Sequence, residues 1–331
     1  MRTEEVNNTR YLPGMSGGHY ESFFLRANHP SRPLAFWFRY TIFSPKGRPN
    51  DALAELWAVW SDGEQQQCTA AKLEMPLRDA DFAHDRFRVS MGDSRLDGQA
   101  LNGRVKNRHA EIEWHLNYSD GQAPLLVLDR NLYEASIPKA KLLVGSPLAR
   151  FNGTVTVNGD SFEIRDWVGS QNHNWGPKHT DRYAWGQVAG FDEAPNTFFE
   201  VATAKLKFGP VWTPFMTVMV LRHHAKEYRL NTIMHALKAK ASFQYFEWHF
   251  DSAADGVRIK GSIRADRWKF VGLPYYNPPG GTKYCLNSKI ASCRIALTDG
   301  GITTVMNTAS RAAFEILTDD ATGHGIRIEE F

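Results

Sequence analysis

Cysteine is scarce in this chain: Cys68, Cys285 and Cys293 are the only three in 331 residues. An odd, scattered set without a C-x-x-C pair neither staples a secreted fold nor builds a thiolate zinc site, so reduced thiols in the cytoplasm are expected. Long apolar runs are missing as well. The first thirty residues hold no seven-residue apolar stretch of the kind a secretory signal needs. No run of about eighteen apolar residues is present to span a membrane. Charge of one sign is not in excess: 39 basic residues face 36 acidic ones, a net +3, which argues against a nucleic-acid partner. Neither a G-x-G-x-x-G nor a G-x4-G-K-[ST] loop occurs, so the usual phosphate cradles are absent and no dissociable cofactor is expected. Nucleophilic signatures such as G-x-S-x-G are lacking too.

Aromatic residues are plentiful: ten Trp, twenty Phe and eleven Tyr. Such side chains fill β cores or line a cavity for an apolar molecule. Turn dipeptides recur at Asp62-Gly63, Asp97-Gly98, Asn102-Gly103, Asp120-Gly121, Asn152-Gly153, Asn158-Gly159, Asp255-Gly256 and Asp299-Gly300. Gly and Asn tolerate positive φ, and several of these pairs separate segments of alternating polarity, which reads as hairpins. Helical periodicity is confined to Thr232–Ala241, with a turn expected over Asp79–Asp85, and alternating βα units are absent. The chain is therefore expected to be all-β, with two antiparallel barrel or sandwich domains packed side by side and helix a minor component. No linker separates them, and the boundary is placed near residue 165, giving units 1–165 and 166–331. A pocket at their seam is the default site.

The most informative stretch is Asn172-His173-Asn174-Trp175-Gly176, followed by the strand Tyr183-Ala184-Trp185-Gly186-Gln187. Period-two alternation places Tyr183, Trp185 and Gln187 on one face. Together with Asn152-Gly153, Val155 and Val157, these residues resemble a two-domain, lipocalin-like superfamily. It includes carotenoid 1,2-hydratases (hydroxyneurosporene synthase), tocopherol cyclases and fungal pericyclases. The segments His19–Asn28 and Phe36–Thr41 are similar to those of uncharacterised bacterial members. The resemblance covers the chain from about Tyr20 to about residue 310. It implies that the His173 motif opens the second domain, and that the protein acts by proton transfer on an apolar isoprenoid, polyketide or lipid-derived molecule. The alternative is a non-catalytic carrier of such a ligand.

One departure matters. The motif usually carries Asp or Glu immediately before the histidine, and here Asn172 stands there. A carboxamide cannot protonate an alkene, so the proton must come from His173, His179 or a carboxyl such as Asp166 or Glu200. His173 is a candidate acid or base, or else a buried imidazole pinning the seam. Glu200, a lone carboxylate on the apolar segment Phe198–Ala202, becomes the best spare acid if its face points inward, because burial raises its pKa. His173 and Glu200 are the expected catalytic residues. Asn172, Asn174, Trp175, Tyr183, Trp185, Gln187 and Arg39 are the expected ligand contacts. Two histidines six residues apart match no metal pattern, and none is expected. Arg39 shares a strand face with Trp37 and Thr41, opposite Phe36, Phe38, Tyr40 and Ile42. It is expected to pair with Glu55 or to meet an anionic ligand head.

Overall fold

The computed structural model describes residues 5–119 and 121–330. Asp120, the first residue of one expected turn dipeptide, lies outside them. The fold is two large antiparallel β units, side by side and lipocalin-like, with one short helix. In the first sheet the central strands run, in spatial order, Leu53–Asp62, Leu34–Ser44, His19–Asn28, Asp160–Gly176, Lys141–Val157 and Glu111–Ser119. In the second the order is Met216–His223, Phe198–Lys205, Arg182–Ala189, Ile302–Thr318, Thr282–Asp299 and Val257–Arg264. The strand across residue 165, Asp160–Gly176, belongs throughout to the first sheet, so the His173 motif ends that strand and the second sheet begins at Arg182.

Turn chemistry accounts for much of this. Asn158-Gly159 and Asp255-Gly256 both sit at positive φ (52° and 96°, 52° and 78°), the two-residue hairpin geometry that matches strand twist. Two other expected turns lie inside strands instead. Asn102-Gly103 is within Ala100–Lys106, where a Cβ on Gly103 would come within 2.4 Å of the Trp114 ring. Asn152-Gly153 marks a β-bulge in Lys141–Val157. The segment Phe243–Phe250 spans two strands, divided at Tyr245-Phe246, where Phe246 adopts a φ of 78°. The expected helix shortens to Ile233–Lys238, capped by the Thr232 hydroxyl, because the residues from Lys240 onward pair with Glu247–Ala254. Residues 79–85 contribute a strand, Ala80–Phe82, and no longer turn.

Each unit has its own core, and a third apolar layer fills the seam. Phe36, Phe38, Tyr40 and Ile42 enter the first core, while Trp37 faces the seam with Phe24, Trp57, Trp185, Leu273 and Leu317. This is the face assignment expected for a central strand buried on both sides. No helix among the described residues is long and apolar enough to cross a membrane.

Candidate active site in the seam

A cavity of about 320 Å³ opens in the seam, walled by Phe24, Trp37, Trp185, Tyr275 and aliphatic side chains. Its mouth carries exposed apolar residues: Ile137, Phe208 on the short hairpin Lys207–Trp212, and Ile233 on the helix. Strand alternation decides which polar groups reach it. From Asp160–Gly176, Asn172 and Asn174 line the cavity. From Phe198–Lys205, Glu200 does so, in line with Phe198 and Ala202 as the alternation requires.

Glu200 is wholly buried. Its Oε1 accepts from Trp185 Nε1 at 2.6 Å and its Oε2 from Gln187 Nε2 at 2.8 Å. Burial raises its pKa to about 8, although the bonds from Trp185 and Gln187 and the nearby charge of Arg26 oppose the rise. At neutral pH the carboxyl therefore holds its proton. The same Gln187 amide donates to Asn172 Oδ1 at 2.8 Å, so a single side chain joins the motif position to the glutamate. Gln187 Oε1 in turn accepts from Ser170 Oγ at 2.6 Å and Arg26 Nη1 at 3.2 Å. Asn172 Nδ2 donates to Ser170 Oγ at 2.9 Å. The amides of Gln187 and Asn172 are thus oriented by their own partners.

Arg39, 4% exposed, also lines the cavity. Its expected ion pair with Glu55 does not form: Nε and Nη2 both donate to Ser22 Oγ, at 2.9 and 2.7 Å, and the guanidinium lies 4.2 Å from the Tyr275 ring centroid. Glu55 is held by Lys72 at 2.5 Å, because Lys72 reaches it from the next strand. Beside Arg39, His179 stacks on Tyr20 at 4.0 Å, and burial together with the Arg39 charge lowers its pKa to about 3. Its Nε2 lies 3.2 Å from the carbonyl oxygen of Tyr276, which can only accept, so the neutral ring carries its proton on Nε2.

His173 lies on the other side of the same strand. Its ring stacks on Phe23 at 4.3 Å inside the first unit. Nδ1 is 2.8 Å from the Val6 carbonyl and Nε2 is 2.8 Å from Glu21 Oε1, so both nitrogens face acceptors. Glu21 also meets His19 at 3.1 Å and accepts the backbone N–H groups of Arg10 and Tyr11 at 2.8 Å. Burial alone raises the Glu21 pKa, but the histidine hydrogen bonds outweigh it and bring the group down to about 2. Trp175 shares this side, with its ring 4.6 Å from His173 and 5.3 Å from the Arg10 guanidinium.

Of the residues expected from the sequence, Glu200, Asn172, Asn174, Tyr183, Trp185 and Arg39 surround the cavity. Gln187 stands directly behind it. His173 faces the first core, Trp175 packs half-buried against the Val6, Tyr133 and Leu143 cluster beside it, and Asp166 is exposed at a strand bend. Sequence reasoning missed Glu21, Arg26 and Glu315. The first two are charged residues on the largely apolar segment His19–Asn28, and that was the available signal. Among the described residues, no group of three His, Cys, Asp or Glu side chains is placed to hold a metal ion.

No protein-family profile matches the chain. An uncharacterised protein of Mycobacterium tuberculosis is 24% identical over 298 residues, covering 89% of this chain and 86% of its own. Several solved structures share the fold. An AttH-type protein of Nitrosomonas europaea superposes with a TM-score of 0.59 at 11% identity, over 94% of this chain and 98% of its own. Kievitone hydratase from Nectria haematococca gives 0.58 at 12%, over 96% of each chain. CghA, solved with Sch210972, gives 0.54 at 11%, over 95% of this chain and 94% of its own. At these identities the likeness is one of fold: the lipocalin-like architecture found in a hydratase.

Proposed function

We propose that this protein is a hydratase- or cyclase-like enzyme that moves a proton on an apolar small molecule held in the seam cavity. The observation that carries the reading is Glu200: a wholly buried carboxyl, its pKa pushed up to about 8 by burial, facing an apolar cavity. Such a group is a general acid at the working pH. As it gives its proton to an alkene or enol carbon, charge grows on Oε1 and Oε2. The Trp185 and Gln187 donors are already aimed at those atoms, with Arg26 behind Gln187. The Trp185 and Trp37 indoles face the space where a carbocation would develop. In hydration, water bonds to the cation through its oxygen and gives its extra proton to the carboxylate. In cyclisation, a second double bond of the substrate attacks the cation to close the ring, and a carbon beside the new cation then returns a proton to the carboxylate.

In this reading the acid has moved from the position of Asn172 to Glu200, two hydrogen bonds away. His173 and Trp175 fix the strand that presents Asn172 and do not touch substrate. That a hydratase shares the fold supports the class of reaction.

Deuterium labelling tests it. The purified protein is incubated in D2O with an extract of its source cells, and mass spectrometry follows carbon-bound deuterium. Incorporation that disappears in Glu200→Gln is expected. A cavity ligand recovered unlabelled and unchanged from the wild type would favour a carrier.

A further inference from the structure

Buried guanidinium groups are ordinarily matched by carboxylates. Arg39 is not. Two of its three nitrogens share the single hydroxyl of Ser22, and among the described residues Nη1 makes no hydrogen bond. The two nearby carboxylates each meet a lysine: Glu55 meets Lys72 at 2.5 Å, which it shares with Glu74, and Glu315 meets Lys289 at 2.7 Å. The second guanidinium of the seam, Arg26, donates only to neutral acceptors on Asn28, Gln187 and Arg311. The polar wall of the cavity thus holds more positive than negative charge, with Glu55 and Glu315 acting on Arg39 only from a distance. Of its cations, Arg39 and Lys141 line the open space, and Lys141 is taken by the Leu132 and Ala135 carbonyls.

We propose that the cavity takes an apolar molecule bearing one carboxylate-like oxyanion head, which Arg39 Nη1 binds at the opposite end of the site from Glu200. This rests on the seam cavity being the substrate site. Register gives the span. Arg39, Phe24 and Asn172 lie in one cross-strand row, so Arg39 and Asn172 are two strands apart, about 10 Å at a spacing of about 4.8 Å per strand. Phe24 forms the floor between them, with the Trp37 and Trp185 rings 6.3 and 5.9 Å from its own. The fitting ligand has an anionic head on the guanidinium and an aromatic or polyene body across Phe24. Its reactive carbon sits near Glu200. The Tyr275 ring, 4.2 Å from the guanidinium, limits its swing.

The test compares 2-naphthylacetic acid with 2-(2-naphthyl)ethanol by calorimetry at pH 7, since the two differ chiefly in the head. The acid is expected to bind at least about tenfold tighter, equivalent to about 1.4 kcal/mol. Arg39→Gln should bring the two within about threefold, while Arg39→Lys should keep part of the preference. Should Arg39→Gln fail to fold, Arg39→Lys and the wild-type ratio decide the matter. Equal affinities in the wild type, a preference that survives Arg39→Gln, or binding of neither probe would overturn the proposal. Glu200→Gln separates this inference from the proton-transfer reading: it should abolish deuterium incorporation and leave the preference for the acid intact. Wild-type protein that prefers the acid yet incorporates no deuterium would overturn the enzyme reading alone.

Discussion

The indole N–H of Trp185 points at Oε1 of Glu200 from 2.6 Å away, across neighbouring antiparallel strands. A donor placed this way stabilises the ionised carboxylate and therefore opposes the rise that burial produces. Trp185→Phe removes the donor and keeps an aromatic body. Glu200 should then titrate above its present value near 8, and any basic limb in the deuterium-incorporation profile should move up with it. Carboxyl-carbon NMR of labelled glutamate gives the midpoint directly. A downward movement would show that the bond to the protonated form is the stronger one. The smaller ring should also lower stability by roughly 1–3 kcal/mol.

Stability should fall with rising pH because of the same carboxyl. Its folded pKa, about 8, lies above the ordinary 4.5, so the native state holds a proton that the unfolded chain has released. The contribution is intact below about 4.5 and is lost progressively as pH rises to about 8, by at most about 1.4 kcal/mol per unit. Urea titrations of wild type and Glu200→Gln at pH 5, 6.5 and 8 should diverge in favour of the variant towards the basic end. Parallel curves would mean that Glu200 is ionised throughout.

Glu21 has the opposite sign. Its folded pKa near 2 lies below 4.5, so its stabilisation is present above 4.5 and disappears as pH falls towards 2. His173→Ala leaves this buried carboxylate without one partner and should reduce stability by roughly 3–5 kcal/mol. At low temperature, where the variant is still folded, deuterium incorporation per folded molecule should persist. Its loss with folding intact would assign the imidazole to the chemistry.

Asn172→Asp is the most direct probe of the motif position. The Asn172 amide donates to Ser170 Oγ, and its carbonyl receives the Gln187 amide. A carboxylate there loses the donor and faces the Phe24 carbonyl, 3.4 Å away. The variant should fold, lose roughly 1–3 kcal/mol, and change proton-transfer activity more than the affinity for 2-(2-naphthyl)ethanol. The reverse pattern would make Asn172 a ligand contact.

The turn pairs and the strand alternation made the all-β fold legible, including the two buried faces of Leu34–Ser44. Glu200 was legible for the same reason: one charged residue on an apolar strand has to be either exposed or perturbed. The side of His173 was not. Alternation says that Asn172 and His173 point apart, but both faces of residues 167–173 are buried, so polarity gives no clue to which one lines the cavity. The Asn102-Gly103 and Asn152-Gly153 pairs misled because glycine serves close packing and bulges as readily as turns. Arg39 took Ser22 instead of Glu55 because Lys72 reaches Glu55 first, a choice set by side-chain geometry across strands.

Because Asn172 and His173 are consecutive residues of one strand, the cavity and the lock inside the first unit share a party wall one residue thick. On the lock side the N-terminal segment is clamped through Val6, Arg10 and Tyr11. On the cavity side a single glutamine carries the link from wall to acid. Under the proposed reading the acid is a transferable part: a carboxyl on either strand reached by Gln187 meets the same space. In the same proposed reading the histidine is masonry, and disturbing the N-terminal segment should be felt first as a shift in the seat of Asn172.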